Sequence, residues 1–308
     1  MGSTPSPPVI PTHPPAILSD LLPPESASAS APPEETSAKP ERRSWAYAPA
    51  TYLLVGINCA VFVAMLLRHF SVWNPTPDQL MIFGANQPRA VLLDGQWQRV
   101  VTAMFVHVGI VHLATNMWCL WNLGLLGEPL IGPFGVLAAY ILSGAAGNLL
   151  SIAVNMFRYT GVNFLWFAGS SPGSADTAVG VGASGAVFGL AGVLIVLLKS
   201  PRLPIDPKEL KSLRLLVIYF AAVNFAIGFG GNLLSDYFNL GLQVDNMAHL
   251  GGLLGGVLFA LPLIPMLGAS KPKFLFRRRI AVGLLTSVLI FFGFYLTSTF
   301  PGSTWTVK

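Results

Sequence analysis

The stretch Val181-Gly182-Ala183-Ser184-Gly185-Ala186-Val187-Phe188-Gly189 places a serine among glycines, at the start of an apolar segment that ends near Leu198. Small residues in such a segment are typical of close packing between membrane helices. The same glycines permit a tight backbone turn and the close approach of another chain. The stretch by itself leaves two interpretations of Ser184 open, a packing residue or a nucleophile, and the surrounding sequence has to separate them.

The composition around this stretch is that of a membrane protein. Of the 308 residues, 53% are hydrophobic and 10% are charged, whereas a soluble domain contains about 25% charged residues. Seven apolar runs, each close to the length that crosses a bilayer as a helix, predict an all-α polytopic membrane protein. The runs lie near 49–67, 102–127, 134–155, 182–198, 213–231, 246–267 and 280–298.

The chain divides into three predicted parts. Residues 1–46 hold 11 of the 25 prolines and are expected to form a disordered tail, followed by a six-helix core at 47–268. Residues 269–308 are expected to form a basic link and a seventh membrane helix. A cytoplasmic tail leaves 13 of 18 Lys and Arg inside, which predicts a cytoplasmic N-terminus and an outside C-terminus. The basic residues flank apolar runs, so the net charge of +5 indicates membrane topology and no nucleic-acid partner.

Polar side chains inside these runs are costly and mark functional sites by default. They are His107, His112 and Asn116 in the second run, Ser184 in the fourth, and Asp245, Asn246 and His249 at the start of the sixth. The three runs point in the same direction, and a similar number of residues separates His112, Ser184 and His249 from the inner end of each. These three side chains are therefore expected at one depth. Glycines in the fourth and sixth runs are expected to let the two helices touch.

The shared depth favours a nucleophilic role for Ser184. A serine hydroxyl attacks well only when a base takes its proton, and His249 is expected to be that base. His112 and Asn116 lie on one helix face and are expected to donate, with the Ser184 N–H, to an oxyanion. Asp245 is expected to cap the sixth helix, and the alternative is that it orients His249.

Four motifs together resemble the rhomboid family of intramembrane serine proteases. They are Gly182-Ala183-Ser184-Gly185 for GxSG, Ala248-His249 with Gly252 and Gly256 for AHxxGxxxG, His107, His112 and Asn116 for HxxxxHxxxN, and Trp97 with Arg99 for the Trp-x-Arg motif of the first loop. The resemblance implies a rhomboid-like six-helix bundle with a seventh C-terminal helix and a Ser184–His249 dyad without an aspartate. It also implies substrates that are single-pass transmembrane proteins, cut in or near their membrane segment.

The same resemblance suggests supporting roles for other residues. Phe188 stands where many rhomboid proteases have a tyrosine stacked on the catalytic histidine, and activity is expected to survive the loss of that hydroxyl. Trp97 and Arg99 are expected to stabilise the first loop, and His107 is expected to be structural. Glu128 has two open interpretations, a surface residue or a residue that makes a loop-stabilising bond.

Three other classes of protein fit the sequence less well. The histidines have no HExxH pattern and no carboxylate cluster, so no metal and no cofactor are expected. A transporter would need broken helices in paired repeats or lines of charge. A catalytically inactive rhomboid-like protein that binds transmembrane clients remains the alternative, although such proteins typically lack the serine or the histidine. The expected location is the lipid bilayer of a bacterial plasma membrane, because the chain shows no organelle signal.

Overall fold

The computed structural model describes residues 47–160, 178–200, 203, 206–238, 244–266 and 270–300, so the predicted tail at 1–46 lies outside the described residues. The described part is helical, and its β-structure is one isolated bridge between Asn86 and Gly180. The α-helices are α1 (Pro49–Leu67), α2 (Pro77–Ile82), α3 (Pro88–Leu92), α4 (Arg99–Thr102), α5 (Ile110–Tyr159), α6 (Ser184–Leu197), α7 (Pro207–Phe238), α8 (Asn246–Ala260) and α9 (Lys271–Thr299).

Five of these helices are long and apolar enough to span a membrane, α8 when counted together with the 3₁₀ turn that extends it to Ile264, and α6 is apolar but has only 14 residues. Helix α5 is interrupted at Gly132, whose φ of +73° is not helical, between Pro129 and Pro133. Its two arms, 110–131 and 133–159, are each long enough to cross a hydrocarbon core that takes about 20 helical residues. The chain is thus an all-α polytopic membrane protein, as predicted.

The first arm of α5 runs parallel to α6. A Cβ placed on Gly182, just before α6, would lie 2.7 Å from Cε1 of His112 near the start of the arm. A Cβ placed on Gly127, near the end of the arm, would lie 3.8 Å from Cδ2 of Leu194 near the end of α6. The order of the two contacts is the same along both helices, so the helices point in the same direction.

Helix α8 runs parallel to α6 and touches it backbone to backbone. A Cβ on Gly185 would lie 3.2 Å from the carbonyl oxygen of Ala248, and a Cβ on Gly192 would lie 3.1 Å from the nitrogen of Val257. A Cβ on Gly252 would overlap the carbonyl oxygen of Gly185. The predicted approach of the two glycine-rich helices is confirmed, and it leaves no room for side chains between them.

A neighbouring face of α8 packs against the second arm of α5. A Cβ on Gly251 would lie 2.7 Å from the carbonyl oxygen of Ala146, and a Cβ on Gly147 would meet the carbonyl oxygen of Ala248 at 2.5 Å. Glycines therefore line both sides of α8. This close packing holds the beginning of α8 at a defined position beside the beginning of α6.

The second membrane helix begins later than predicted. It begins at Ile110 and not near 102, because the chain forms α4, a 3₁₀ turn at Ala103–Phe105 and a bend at Gly109, where φ is +86°. His107 therefore lies in a loop before the helix and not on the helix of His112. Val106 and His107 in this loop are fully buried. A buried loop is apolar for the same reason as a membrane helix, so composition does not separate the two.

The seventh helix begins earlier than predicted. Helix α9 begins at Lys271, with Pro272 in its first turn, and the basic residues up to Arg279 belong to the helix. The prediction of a separate basic link is wrong for these residues. Lys and Arg have high helix propensity, and proline is well tolerated in a first turn.

Glu128 anchors the beginning of α1. Its side chain is 3% exposed and accepts hydrogen bonds from the N–H groups of Ala50 and Thr51, both at 2.9 Å, and from the Thr51 hydroxyl at 2.7 Å. The surface interpretation is wrong, and the bonds reach a helix rather than a loop. A carboxylate at this position satisfies N–H groups that have no partner within the helix and complements its dipole.

We expect Glu128→Ala to lower the free energy of unfolding by about 3 kcal/mol, because it leaves buried donors without an acceptor. The measurement is the thermal unfolding midpoint of the purified protein in detergent. Glu209→Ala is the matched control, since Glu209 is an exposed residue in the first turn of α7. Equal midpoints for the two variants would contradict the anchoring role.

Candidate functional site

The side chains predicted to form a reaction centre line one cavity of about 900 Å³. They are Ser184 at the beginning of α6, His249 at the beginning of α8, and His112 and Asn116 in the first arm of α5. These positions follow from the packing described above, since the three helices run in one direction and begin side by side. The cavity also receives Phe188, one turn beyond Ser184.

The backbone before Ser184 is held by hydrogen bonds to the loop that precedes α5. The Gly182 N–H donates to the carbonyl oxygen of Ala103 at 2.9 Å, and the Ala183 N–H donates to Nε2 of His107 at 3.4 Å. Gly182 has a φ of +116°, a conformation that L side chains rarely adopt. Its Cα faces the His112 ring, so a side chain at 182 would also collide with that ring.

His107 has a positioning contact and does not line the cavity. Burial lowers the pKa of His107 to about 3, which keeps its ring neutral and its Nε2 able to accept the Ala183 N–H. Its ring also meets the His112 ring edge-on, with centroids 5.1 Å apart. The structural role expected for His107 is therefore a bond to the segment that carries Ser184.

The ring of His249 is fixed by aromatic neighbours. Phe188 stacks on it with centroids 4.3 Å apart and planes 14° from parallel, and Phe225 meets it edge-on at 5.9 Å. Among the described residues, the buried Nδ1 of His249 has no hydrogen-bond partner. No hydrogen bond joins Ser184 to His249 in the part of the chain that the structure describes, so the two side chains face one cavity without a direct bond.

The His112 ring is oriented with its Nε2 toward Gly182. Its Nδ1 accepts the Val108 N–H at 3.4 Å, and a neutral imidazole that accepts at one nitrogen carries its proton on the other. Nε2 is therefore the donor, and a Cβ on Gly182 would lie 2.9 Å from it. Asn116 uses one amide hydrogen on the His112 carbonyl oxygen at 2.9 Å, which leaves its second hydrogen available.

Asp245 caps α8, as expected. Its Oδ1 accepts the Ala248 N–H at 2.9 Å, and its Oδ2 accepts a hydrogen bond from the Ser151 hydroxyl. Burial raises the pKa of the Asp245 carboxyl. Both carboxylate oxygens are thus engaged with groups other than the His249 ring, and the alternative role in orienting that ring is not supported.

Arg99 and Trp97 lie outside the cavity, in the loop between α1 and α5. The Arg99 guanidinium donates to the carbonyl oxygens of Met81 and Ala85 at 2.9 and 3.0 Å, and to Oε1 of Gln96 at 2.6 Å. Burial lowers the pKa of Arg99 from its ordinary value. These bonds fold the loop onto itself, which agrees with the stabilising role expected for Arg99.

Two asparagines that join this loop to α5 escaped the sequence analysis. The Asn148 amide donates to the carbonyl oxygen of Val100 at 2.8 Å, and the Asn86 amide donates to the carbonyl oxygen of Asn148 at 3.3 Å. Asn148 is buried in the second arm of α5. An uncharged polar residue within an apolar run is the signal that would have identified it.

Comparison with known proteins gives a consistent result. A family model described as Rhomboid domain matches residues 94–266. The chain is 26% identical to Rhomboid protease GluP of Bacillus subtilis (strain 168), over 80% of this chain and 40% of that protein. It is 28% identical to Rhomboid protease AarA of Providencia stuartii, over 79% and 83%, and 32% identical to mitochondrial RHOMBOID-like protein 6 of Arabidopsis thaliana, over 63% and 55%.

Proposed function

The chain belongs to the rhomboid family, and we propose on that premise that it is an intramembrane serine endopeptidase. Its substrates are single-pass transmembrane proteins, which it cuts in or near their membrane segment. The observation that supports this function best is the meeting of Ser184, His249, His112 and Asn116 at one cavity. We also propose that residues 47–268 form the six-helix core, that the N-terminus is cytoplasmic and that the C-terminus lies outside.

In the proposed reaction, Ser184 Oγ attacks the scissile carbonyl carbon while His249 takes the hydroxyl proton. The tetrahedral intermediate collapses as the C–N bond breaks, and His249 returns the proton to the leaving amine. A water molecule, deprotonated by His249, then attacks the acyl–serine ester. This attack forms a second tetrahedral intermediate. When its bond to Ser184 Oγ breaks, the new carboxyl group is released and His249 returns the proton to Ser184.

The donors for the oxyanion come from two helices. Ser184 is the first residue of α6, and the first N–H groups of a helix have no acceptor within it. The His112 Nε2–H and the second amide hydrogen of Asn116 supply the other donors. Donors of this kind contribute most when they are fixed before the reaction, and the Val108 and His112 backbones fix both side chains.

The proposal assigns a dyad rather than a triad. Asp245 is engaged with Ser151 and Ala248, so the Phe188 stack takes the place of a carboxylate in orienting His249. Catalytic hydrogen bonds are commonly long in free enzymes and tighten with substrate. The catalytically inactive alternative is not favoured, because both residues of the dyad are present and line one cavity.

The test of this function is cleavage of a model single-pass substrate by the purified protein in liposomes. We expect cleavage by the wild type and a loss of about 10⁵- to 10⁶-fold in Ser184→Ala. Cleavage by Ser184→Ala within about tenfold of wild type would contradict the dyad. Failure of the wild type to cut any of a panel of transmembrane substrates would contradict the endopeptidase function.

We expect Asn116→Ala to lower kcat by about 100- to 1000-fold with little change in KM, because an oxyanion donor acts mainly in the transition state. Asn122→Ala is the matched control, since Asn122 lies on the same arm, is exposed and also donates to a carbonyl oxygen one turn earlier. Steady-state kinetics in detergent measures both variants. A loss of similar size in Asn122→Ala would assign the effect to helix stability instead.

A further inference from the structure

Helix α9 follows the second arm of α5 along its length. Near its beginning, Arg278 lies over the Phe134 ring of that arm at 5.0 Å and donates to the carbonyl oxygen of Ile131, the last residue of the first arm, at 2.9 Å. Near its end, Phe300 meets the Phe157 ring edge-on at 5.1 Å. Contacts at both ends hold α9 at a fixed height and rotation against the arm.

Between these two ends, α9 receives a side chain from the first loop. A Cβ on Gly293 would lie 3.1 Å from Cζ3 and 3.3 Å from Cη2 of Trp97. Gly293 is buried on the inward stripe of α9, between Leu285 and Leu296. The indole ring therefore lies directly on helix backbone, and any side chain at position 293 would push the ring away.

Hydrogen bonds join the loop that carries Trp97 to the segment before Ser184. Arg99 ties this part of the loop to the carbonyl oxygen of Ala85. The next residue, Asn86, pairs with Gly180 in an antiparallel bridge, with both N–H groups donating to carbonyl oxygens at 2.8 Å. Gly180 stands four residues before Ser184. The Arg99 side chain and the Asn86–Gly180 bridge therefore connect the Trp97 region to the beginning of α6.

We propose that Trp97 and Gly293 form a latch by which α9 positions the first loop and, through the Asn86–Gly180 bridge, the backbone that presents Ser184. Neither residue lines the cavity, so both are positioning residues and touch no substrate. The proposed consequence for cleavage rests on the proposed function. The mechanical coupling of α9 to the bridge does not rest on that function, and hydrogen–deuterium exchange measures it separately.

The test replaces Gly293 with leucine and compares it with Gly283→Leu, a change on the same helix where nothing lies within 4 Å of a Cβ. We expect Gly293→Leu to lower kcat by about 10- to 100-fold with KM within about twofold, since small misplacements of reacting groups are costly. Gly283→Leu is expected to keep wild-type kinetics. Equal kinetics for the two variants would overturn the latch.

A double variant separates the latch from a general disturbance of α9. Residues that act through one contact are not additive, so Gly293→Leu is expected to cause no further loss when Trp97 is already alanine. A full additional loss in the Trp97→Ala background would overturn the proposal. If Gly293→Leu does not fold, Gly293→Ala replaces it, because its Cβ moves the ring by only a few tenths of an ångström.

Hydrogen–deuterium exchange tests the latch without reference to activity. We expect the amides of Asn86 and Gly180 to exchange faster in Gly293→Leu than in wild type, and at the wild-type rate in Gly283→Leu. Unchanged exchange in Gly293→Leu would overturn the latch even if cleavage is lost. If the wild type cuts no substrate, the proposed function fails, and this exchange experiment still decides the coupling.

Discussion

Ser184→Ala is expected to reduce kcat/KM by about 10⁵- to 10⁶-fold, the loss seen when a serine hydrolase is deprived of its nucleophile. Alanine removes the oxygen that attacks the carbonyl. The buried residues of α6 that follow position 184 stay the same, so the packing of the helix is expected to be kept. The measurement is cleavage of a fluorogenic transmembrane substrate in liposomes, with the enzyme in excess so that slow turnover is detected.

The matched control for this change is Ser298→Ala. Ser298 is exposed on α9, and its hydroxyl donates to the carbonyl oxygen of Phe294 one turn earlier. Its replacement is expected to leave kcat/KM unchanged. Residual cleavage by Ser184→Ala within about tenfold of wild type, far above the expected loss, would remove Ser184 from the mechanism.

His249→Asn is expected to cause a loss of similar size, about 10⁵-fold in kcat, because it removes the base that the proposed mechanism assigns to the Ser184 hydroxyl. Phe188 and Phe225 surround the ring, so the substitution removes the base while the neighbouring packing stays largely intact. Single-turnover cleavage at several substrate concentrations separates the expected change in the chemical step from a change in binding.

His69→Asn is the control for this second change. His69 is exposed after α1 with a φ of +61°, a conformation that asparagine tolerates, so wild-type kinetics are expected. The Ser184→Ala, His249→Asn double variant should be no slower than either single variant, since residues that act as one unit are not additive. A multiplicative loss in the double variant would show that the two residues act independently.

Local signals in the sequence predict the structure correctly. Asp245 was predicted to cap α8, and its bond to the Ala248 N–H spans only three residues. The glycines of α6 and α8 were predicted to bring the helices together, because small residues at regular spacing have few other uses in an apolar helix. The apolar runs predicted a polytopic helical protein, because only closed backbone hydrogen bonding is stable in lipid.

The errors occurred where composition does not separate two kinds of structure. Residues 102–109 are as apolar as a membrane helix, but they form the end of α4, a 3₁₀ turn and a short loop, because Gly109 turns the chain. The Lys and Arg residues at the beginning of α9 were assigned to a link, although these residue types suit a helix as well as a loop. Charge predicts where a membrane segment ends and leaves the helix boundary undetermined.

The class of fold, the polar residues of the candidate site and the common direction of the three helices that carry them can all be predicted from the sequence. Those properties depend on hydropathy and on spacing within a single segment. The bonds by which Glu128 anchors α1 and the position of Trp97 on Gly293 are visible only in the folded chain. Each of these contacts joins segments far apart in the chain, and the hydropathy of one residue carries no information about which distant backbone will lie against it.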